Sequence, residues 1–256
     1  LMIDALLPAL LVLGLQDGDW PQYRGPGRDD VSAETGLLKV WPAAGPPLLW
    51  TFRNAGVGYS GPALVGGLLY TLGGRGDTEF LIAVEHASGK EAWAVPVGPL
   101  FHFDSNKWSA GPSSTPTVGD GRVYALGGRG DLVCVDAGSG KELWRKNLPG
   151  ELDAQVNPIG GGPAKLGWGF TGSPLLDGER LICIPGGPKG TLAALDRKTG
   201  RLLWRSAELT DQAAYTSPMA ADIGGVRQIV VLTNPGVSAV DAESGRLLWR
   251  AKRESP

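Results

Sequence analysis

The reactive side chains of this sequence are sparse and scattered, with two histidines and two cysteines among 256 residues. His102 lies in the run Phe101-His102-Phe103-Asp104-Ser105-Asn106-Lys107-Trp108, which gathers an imidazole, a carboxylate, a hydroxyl and an ammonium and so invites a hydrolase reading. Residues consecutive on one loop rarely align as a proton relay, and the sequence has no Gly-x-Ser-x-Gly elbow. The loop reads instead as a structured surface segment with its aromatics folded inward. His86 reads as a solvated turn residue. Cys134 and Cys183 are 49 positions apart and match neither a zinc spacing nor a dense disulfide framework. Gly73-Gly74-Arg75-Gly76-Asp77 and Gly127-Gly128-Arg129-Gly130-Asp131 carry Gly-x-Gly elements, but no helix follows them to present its N-terminus to a phosphate. Their recurrence marks them as equivalent turns between the second and third strands of a repeat, with Gly186-Gly187-Pro188-Lys189-Gly190 as a third copy. No catalytic or metal-ligating residue is expected.

The elements that carry these loops follow from composition and recurrence. Lys and Arg number 24 against 26 Asp and Glu, a balance without the basic excess that phosphate contacts require, so nucleic acid is not the expected partner. Forty Gly and 20 Pro beside 42% hydrophobic residues describe a folded chain with many turns. Nine Trp against five Phe and five Tyr suggest that indole performs one structural task repeatedly. The apolar run Ala5–Leu15 is too short to cross a bilayer but suits a signal-peptide core. The expected organisation is therefore a signal-like segment over 1–18, an extension over 19–45, a repeat region over 46–251 and a tail over 252–256. The expected setting is periplasmic or secreted, with no transmembrane anchor.

Four copies of one eleven-residue string define the repeat: Ala83–Trp93, Cys134–Trp144, Ala194–Trp204 and Ala239–Trp249. Each begins with a small residue, has an acid third, Ser or Thr sixth and Gly seventh, and ends in Trp. An alternating strand runs into a turn in which Gly89, Gly140, Gly200 and Gly245 take a left-handed position, and the next strand ends at Trp93, Trp144, Trp204 or Trp249. Pro62, Pro116, Pro174 and Pro218 each precede a further strand. The interval from proline to tryptophan is nearly constant, at 28 to 31 residues, whereas the interval from tryptophan to the next proline varies from 12 to 30. Insertions confined to one connection, four short strands per unit and no helical period point to an all-β propeller. The blades fall at about 58–95, 112–146, 170–206 and 215–251. Pro47–Phe52 around Trp50 reads as one more outer strand. The tryptophans are expected to wedge between neighbouring blades.

These strings resemble the tryptophan-docking motif of the PQQ-like (pyrroloquinoline-quinone-repeat) β-propellers, Ala-x-Asp-x-x-Thr-Gly-x-x-x-Trp, with Glu85 replacing Asp in the first copy and Cys134 replacing Ala in the second. Trp20-Pro21-Gln22-Tyr23-Arg24-Gly25-Pro26, followed by Gly27-Arg28-Asp29, resembles the opening of secreted planctomycete-type members. The resemblance covers roughly residues 19–251. It implies a piece of a seven- or eight-bladed ring in a superfamily that includes quinoprotein dehydrogenases and the BamB scaffold. A dehydrogenase of this kind would need calcium held by oxygen ligands beneath the quinone and a catalytic Asp, and no acidic constellation here can be matched to them residue by residue. No cofactor is expected of a scaffold. PQQ with calcium belongs to the alternative reading, a quinoprotein enzyme whose catalytic blades lie outside this sequence.

In an antiparallel four-stranded blade, the second-to-third turn and the link to the next blade leave at one end, and the docking turns leave at the other. One loop face therefore gathers Arg75, Asp77, His102, Asp104, Asn106, Lys107, Trp108, Arg129, Asp131, Asn157, Trp168 and Lys189, together with Asp153 and Gln155. Loops on a rigid scaffold, bearing exposed Trp and Arg, are where partners bind. The expected partner is a protein, with a glycan as the second possibility.

Overall fold

The computed structural model describes residues 18–102, 110–158 and 166–253. It contains four four-stranded antiparallel sheets, each formed from consecutive strands. The first blade comprises β1 (Ala63–Val65), β2 (Leu68–Arg75), β3 (Thr78–Glu85) and β4 (Glu91–Pro99). The second comprises β5 (Thr117–Gly119), β6 (Arg122–Leu126), β7 (Asp131–Asp136) and β8 (Glu142–Asn147). After a short helix α1 (Leu148–Leu152), the third comprises β9 (Leu175–Asp177), β10 (Arg180–Cys183), β11 (Ala193–Asp196) and β12 (Leu202–Arg205). The fourth comprises β13 (Met219–Ile223), β14 (Val226–Thr233), β15 (Gly236–Asp241) and β16 (Leu247–Lys252). Each blade's first strand starts one residue after Pro62, Pro116, Pro174 or Pro218. Proline can precede a strand because it has no N–H to offer the ladder.

The third strands hold continuous apolar runs such as Leu81–Val84 and Leu132–Val135, all of them buried. One apolar core lies between the first and second blades, and another extends through the second, third and fourth.

The repeated string builds the same joint in every blade. Its first residue is the cross-strand partner of its last: Ala83 faces Trp93, Cys134 faces Trp144, Ala194 faces Trp204 and Ala239 faces Trp249. A small residue is needed opposite the indole, and a bulge follows at once in all four ladders. The acid holds the turn: Asp136 Oδ1 accepts from the Ser139 N–H at 2.8 Å and its hydroxyl at 2.6 Å, and Asp196 and Asp241 act alike. Each docking glycine has φ near +70° and lies flat against the indole of the preceding blade. Trp93 covers Gly140, Trp144 covers Gly200, and Trp204 covers Gly245. Each indole N–H donates into that same turn: Trp93 to Ala137 O (3.2 Å), Trp144 to Arg197 O (3.1 Å) and Trp204 to Ala242 O (3.2 Å). A fully buried Trp contributes about 4–6 kcal/mol gross.

Trp50 docks in the same way, covering Gly89 and donating to His86 O at 2.8 Å. Residues 47–52, expected as an outer strand, form no ladder, so what carries over is the indole without its strand. Trp249 faces no docking glycine among the described residues. It is 36% exposed and donates to Gln228 Oε1 of its own blade at 2.7 Å.

Two further differences from the sequence reading have local causes. Gly73, Gly74 and Arg75 belong to β2 and not to the turn, which is confined to Gly76 and Asp77. The glycines admit a passing segment: a Cβ on Gly73 would overlap the Ala55 carbonyl, and Gly74 exchanges hydrogen bonds with Val57 at 2.7 and 2.9 Å. Helix α1 was not foreseen. Asn147 caps it by accepting from the Gly150 N–H at 2.8 Å, while Glu151 accepts from the Asn147 N–H at 2.9 Å.

Residues 20–28 form a strap that contacts the innermost-strand region of all four blades. Trp20 exchanges backbone bonds with Leu64 in the first blade at 2.7 and 2.9 Å, and Pro21 O accepts from Val118 N in the second at 2.8 Å. Arg28, 2% exposed, donates to the carbonyl of Pro174 in the third and to that of Pro218 in the fourth, the latter at 2.6 Å. Burial pulls its pKa down to about 10. The signal-like run lies within residues 1–17, outside the described residues.

Candidate functional site

The side opposite the docking turns carries the second-to-third turns and the blade-to-blade links. Of the twelve residues placed there by sequence, Asp104, Asn106, Lys107 and Trp108 lie outside the described residues. The other eight divide into local groups and form no single constellation.

The first group is at the outer margin of the first blade. Arg75 pairs with Glu91 at 2.7 Å, donates to Asn54 O at 2.9 Å and lies over the Phe80 ring at 5.6 Å. The exposed Asp77 accepts from Leu100 N at its backbone oxygen, 2.8 Å. Beyond it the chain turns inward at the buried Phe101 and outward again at the exposed His102.

The second group joins the first and second blades. Asp131 accepts from Asn147 Nδ2 at 3.0 Å, and half-buried Arg129 lies close by. At its centre is Glu79 on β3, which sequence reading passed over. Glu79 is fully buried. One oxygen accepts from Phe101 N at 3.1 Å and the other from Gly128 N at 2.8 Å, stapling two blades. Burial pushes its carboxyl up to about 7 against the opposing pull of the two amides, and Asp131 adds to the rise while Arg129 offsets it.

The third group is a rim over the third and fourth blades. Lys189 pairs with Asp153, whose own backbone is left-handed (φ 48°) at the end of α1. Asn157 is held by its N–H to Ala213 O at 2.8 Å, and its carbonyl accepts from the Tyr215 hydroxyl at 2.7 Å. That hydroxyl also accepts from the Trp168 N–H at 3.1 Å, and Trp168 as a residue is 41% exposed. Tyr215 therefore links two long connections, and its aromatic ring just before Thr216-Ser217-Pro218 is the sequence signal that could have found it. Phe170, buried beside Trp168, anchors the same connection by donating its N–H to Gly128 O at 2.9 Å.

Among the described residues there is no group of three or more His, Cys, Asp or Glu able to hold a metal. Glu79 is committed to two amides, Asp131 to Asn147 and Asp153 to Lys189, so the carboxylates do not converge on a common point. Among the described residues these three carboxylates form no oxygen cage for calcium. Cys134 and Cys183 are buried free thiols, each pushed by burial up to about 12, and they are inert in the native fold.

Four blades joined by indoles on turn glycines define a β-propeller of PQQ-like repeats. Residues 77–256 match the family described as outer membrane protein assembly factor BamB, and the chain belongs to that family. The quinohemoprotein alcohol dehydrogenase of Comamonas testosteroni has a similar structure, with a TM-score of 0.62 and 18% identity over 96% of this chain and 42% of that one. The 1-butanol dehydrogenase (quinone) of Thauera butanivorans is 29% identical over 118 residues, 45% of this chain and 17% of the relative. The serine/threonine-protein kinase AfsK of Streptomyces griseus is 26% identical over 197 residues, 75% of this chain and 21% of the relative. The chain thus spans about a fifth of the length of the curated relatives it matches. Those two are named for different chemistries, so the likeness does not single out a reaction.

Proposed function

We propose that the protein is a non-catalytic, extracytoplasmic β-propeller scaffold that binds a protein partner through its loop face. The observation that carries the reading is the rim formed by Asn157, Trp168 and Tyr215: a part-exposed tryptophan whose backbone is fixed by a hydroxyl reaching across from a second loop. An aromatic held rigidly at the edge of a scaffold loses little conformational freedom on binding, which is what interface anchors require. The family's description as an assembly factor supports a protein rather than a glycan as partner, and the dispersed carboxylates support a role without catalysis. The test is a photo-crosslinking residue placed at Trp168, and for comparison at Ser88 in a docking turn, in intact cells. Adducts at 168 and none at 88 are expected; the reverse pattern would refute the reading.

A second reading, a PQQ-dependent oxidoreductase, is favoured by one observation, the likeness to the quinone-dependent butanol dehydrogenase. It is tested by titrating the protein with PQQ and calcium. Saturable, calcium-dependent binding would support it over the scaffold.

A further inference from the structure

On the docking-turn side, a cavity of about 310 Å³ opens between the first and second blades beneath the strap. We propose that it binds a neutral, predominantly apolar small molecule. Its walls include Val65, Leu68, Tyr70, Val118 and Leu176, and strap residues Pro21, Gln22 and Pro26 line it as well.

The repeat itself shows why a cavity forms here. Leu68 stands opposite Glu85 in the first blade, where the second blade has Arg122 opposite Asp136 and the third has Arg180 opposite Asp196. Ala137 follows its docking acid, where the next blade has Arg197. At the second boundary Arg197 reaches Asp120 and Glu179, each at 2.5 Å. At the third, Arg180 pairs with Glu243, and Arg227 pairs with Asp177 at 2.9 Å. Guanidinium groups thus cross the later boundaries on this side, whereas Leu68 and Ala137 leave the first one apolar and partly empty.

The polar side chains around the cavity are already bonded. Gln22 donates to Pro26 O and accepts from Arg28 Nε, both at 3.0 Å. The Tyr70 hydroxyl donates to Ala137 O at 3.2 Å, Thr117 donates to Pro174 O at 2.6 Å, and Asp120 is engaged by Arg197. A charged ligand would lose its hydration here without finding a counter-charge, whereas an apolar one would find matching walls. The volume is at the lower end of the range for small-molecule sites, about 300–1,000 Å³. The cavity is distinct from the rim proposed to bind a protein, and it lies on the other side of the blades.

The test uses the full chain and the neutral fluorescent probe N-phenyl-1-naphthylamine. One saturable site is expected. Ala137→Arg and Leu68→Arg, which install the side chains found at the later boundaries, are each expected to weaken binding at least tenfold. Leu232→Ser on the exposed flank of the fourth blade should leave it unchanged. Absence of saturable binding, or binding that survives both arginine variants, would overturn the proposal. If either variant loses its fold, a crystal of the wild-type protein soaked in bromobenzene decides: bromine density in the cavity supports the site, and density only elsewhere overturns it.

Discussion

Gly200→Ala separates the two demands that the docking joint makes on its glycine. At φ +70° an L-residue is in the left-handed region, a cost of about 1–2 kcal/mol. The new methyl would also sit 2.9 Å from Cδ2 and Cε3 of Trp144, a ring only 9% exposed and bonded to Arg197 O, so it has little room to retreat. Overpacking of this kind costs about 1–3 kcal/mol, giving an expected total of about 2–5 kcal/mol. Gly178 provides the control, because it too is left-handed (φ +59°) but nothing lies within 4 Å of its Cβ position. Gly178→Ala should therefore cost only the backbone contribution, about 1–2 kcal/mol. The assay is equilibrium urea unfolding of both variants, each also made in a Trp144→Ala background. That substitution should itself cost about 3–5 kcal/mol. With the indole gone, Gly200→Ala should cost no more than Gly178→Ala, a coupling of about 1–3 kcal/mol. Equal costs for the two glycines in the wild-type background, or no coupling to Trp144, would refute the docking argument.

Other perturbations follow from the same geometry. Trp249→Ala, at an indole that covers no docking glycine among the described residues, should cost well under half of what Trp144→Ala costs in the same urea assay. The carboxyl of Glu79 titrates near 7 in the fold, above its ordinary value of 4.5. The folded state thus holds a proton that the unfolded state has released, and stability should fall as pH rises from about 4.5 through 7, by on the order of 3 kcal/mol. In Glu79→Gln that slope should flatten when urea midpoints are compared across this range. Arg28→Met leaves the Pro174 and Pro218 carbonyls without their donor and should loosen the strap, read as faster tryptic cleavage after Arg24 by intact mass. Cys134 and Cys183 should resist iodoacetamide in the native protein and react only on unfolding.

The scaffold was legible because its instructions are local and repeated. A small residue, an acid, a glycine and a tryptophan at fixed spacing specify a bulged hairpin, and the proline before each first strand sets where a blade begins. What sequence could not supply was the identity of distant neighbours. Gly73 and Gly74 looked like turn residues because glycine signals conformational freedom, yet here they admit the backbone of residues 55–57. Arg28 fell in an extension to which no contact was assigned, whereas its acceptors lie 146 and 190 positions away. Glu79 was overlooked because nothing in its neighbours announces that the register of β3 turns it between two blades. The candidate face was found as a set of loops, but its division into three groups depended on partners such as Tyr215 and Asn147.

The most direct measurement is the affinity of the partner captured at Trp168 for a matched pair of variants. Trp168→Ala is expected to weaken binding at least tenfold, as loss of an aromatic anchor does, while Ala87→Arg, at an exposed position of a docking turn on the other side, leaves it unchanged. Binding that tolerates Trp168→Ala and is abolished by Ala87→Arg would contradict the assignment of the loop face.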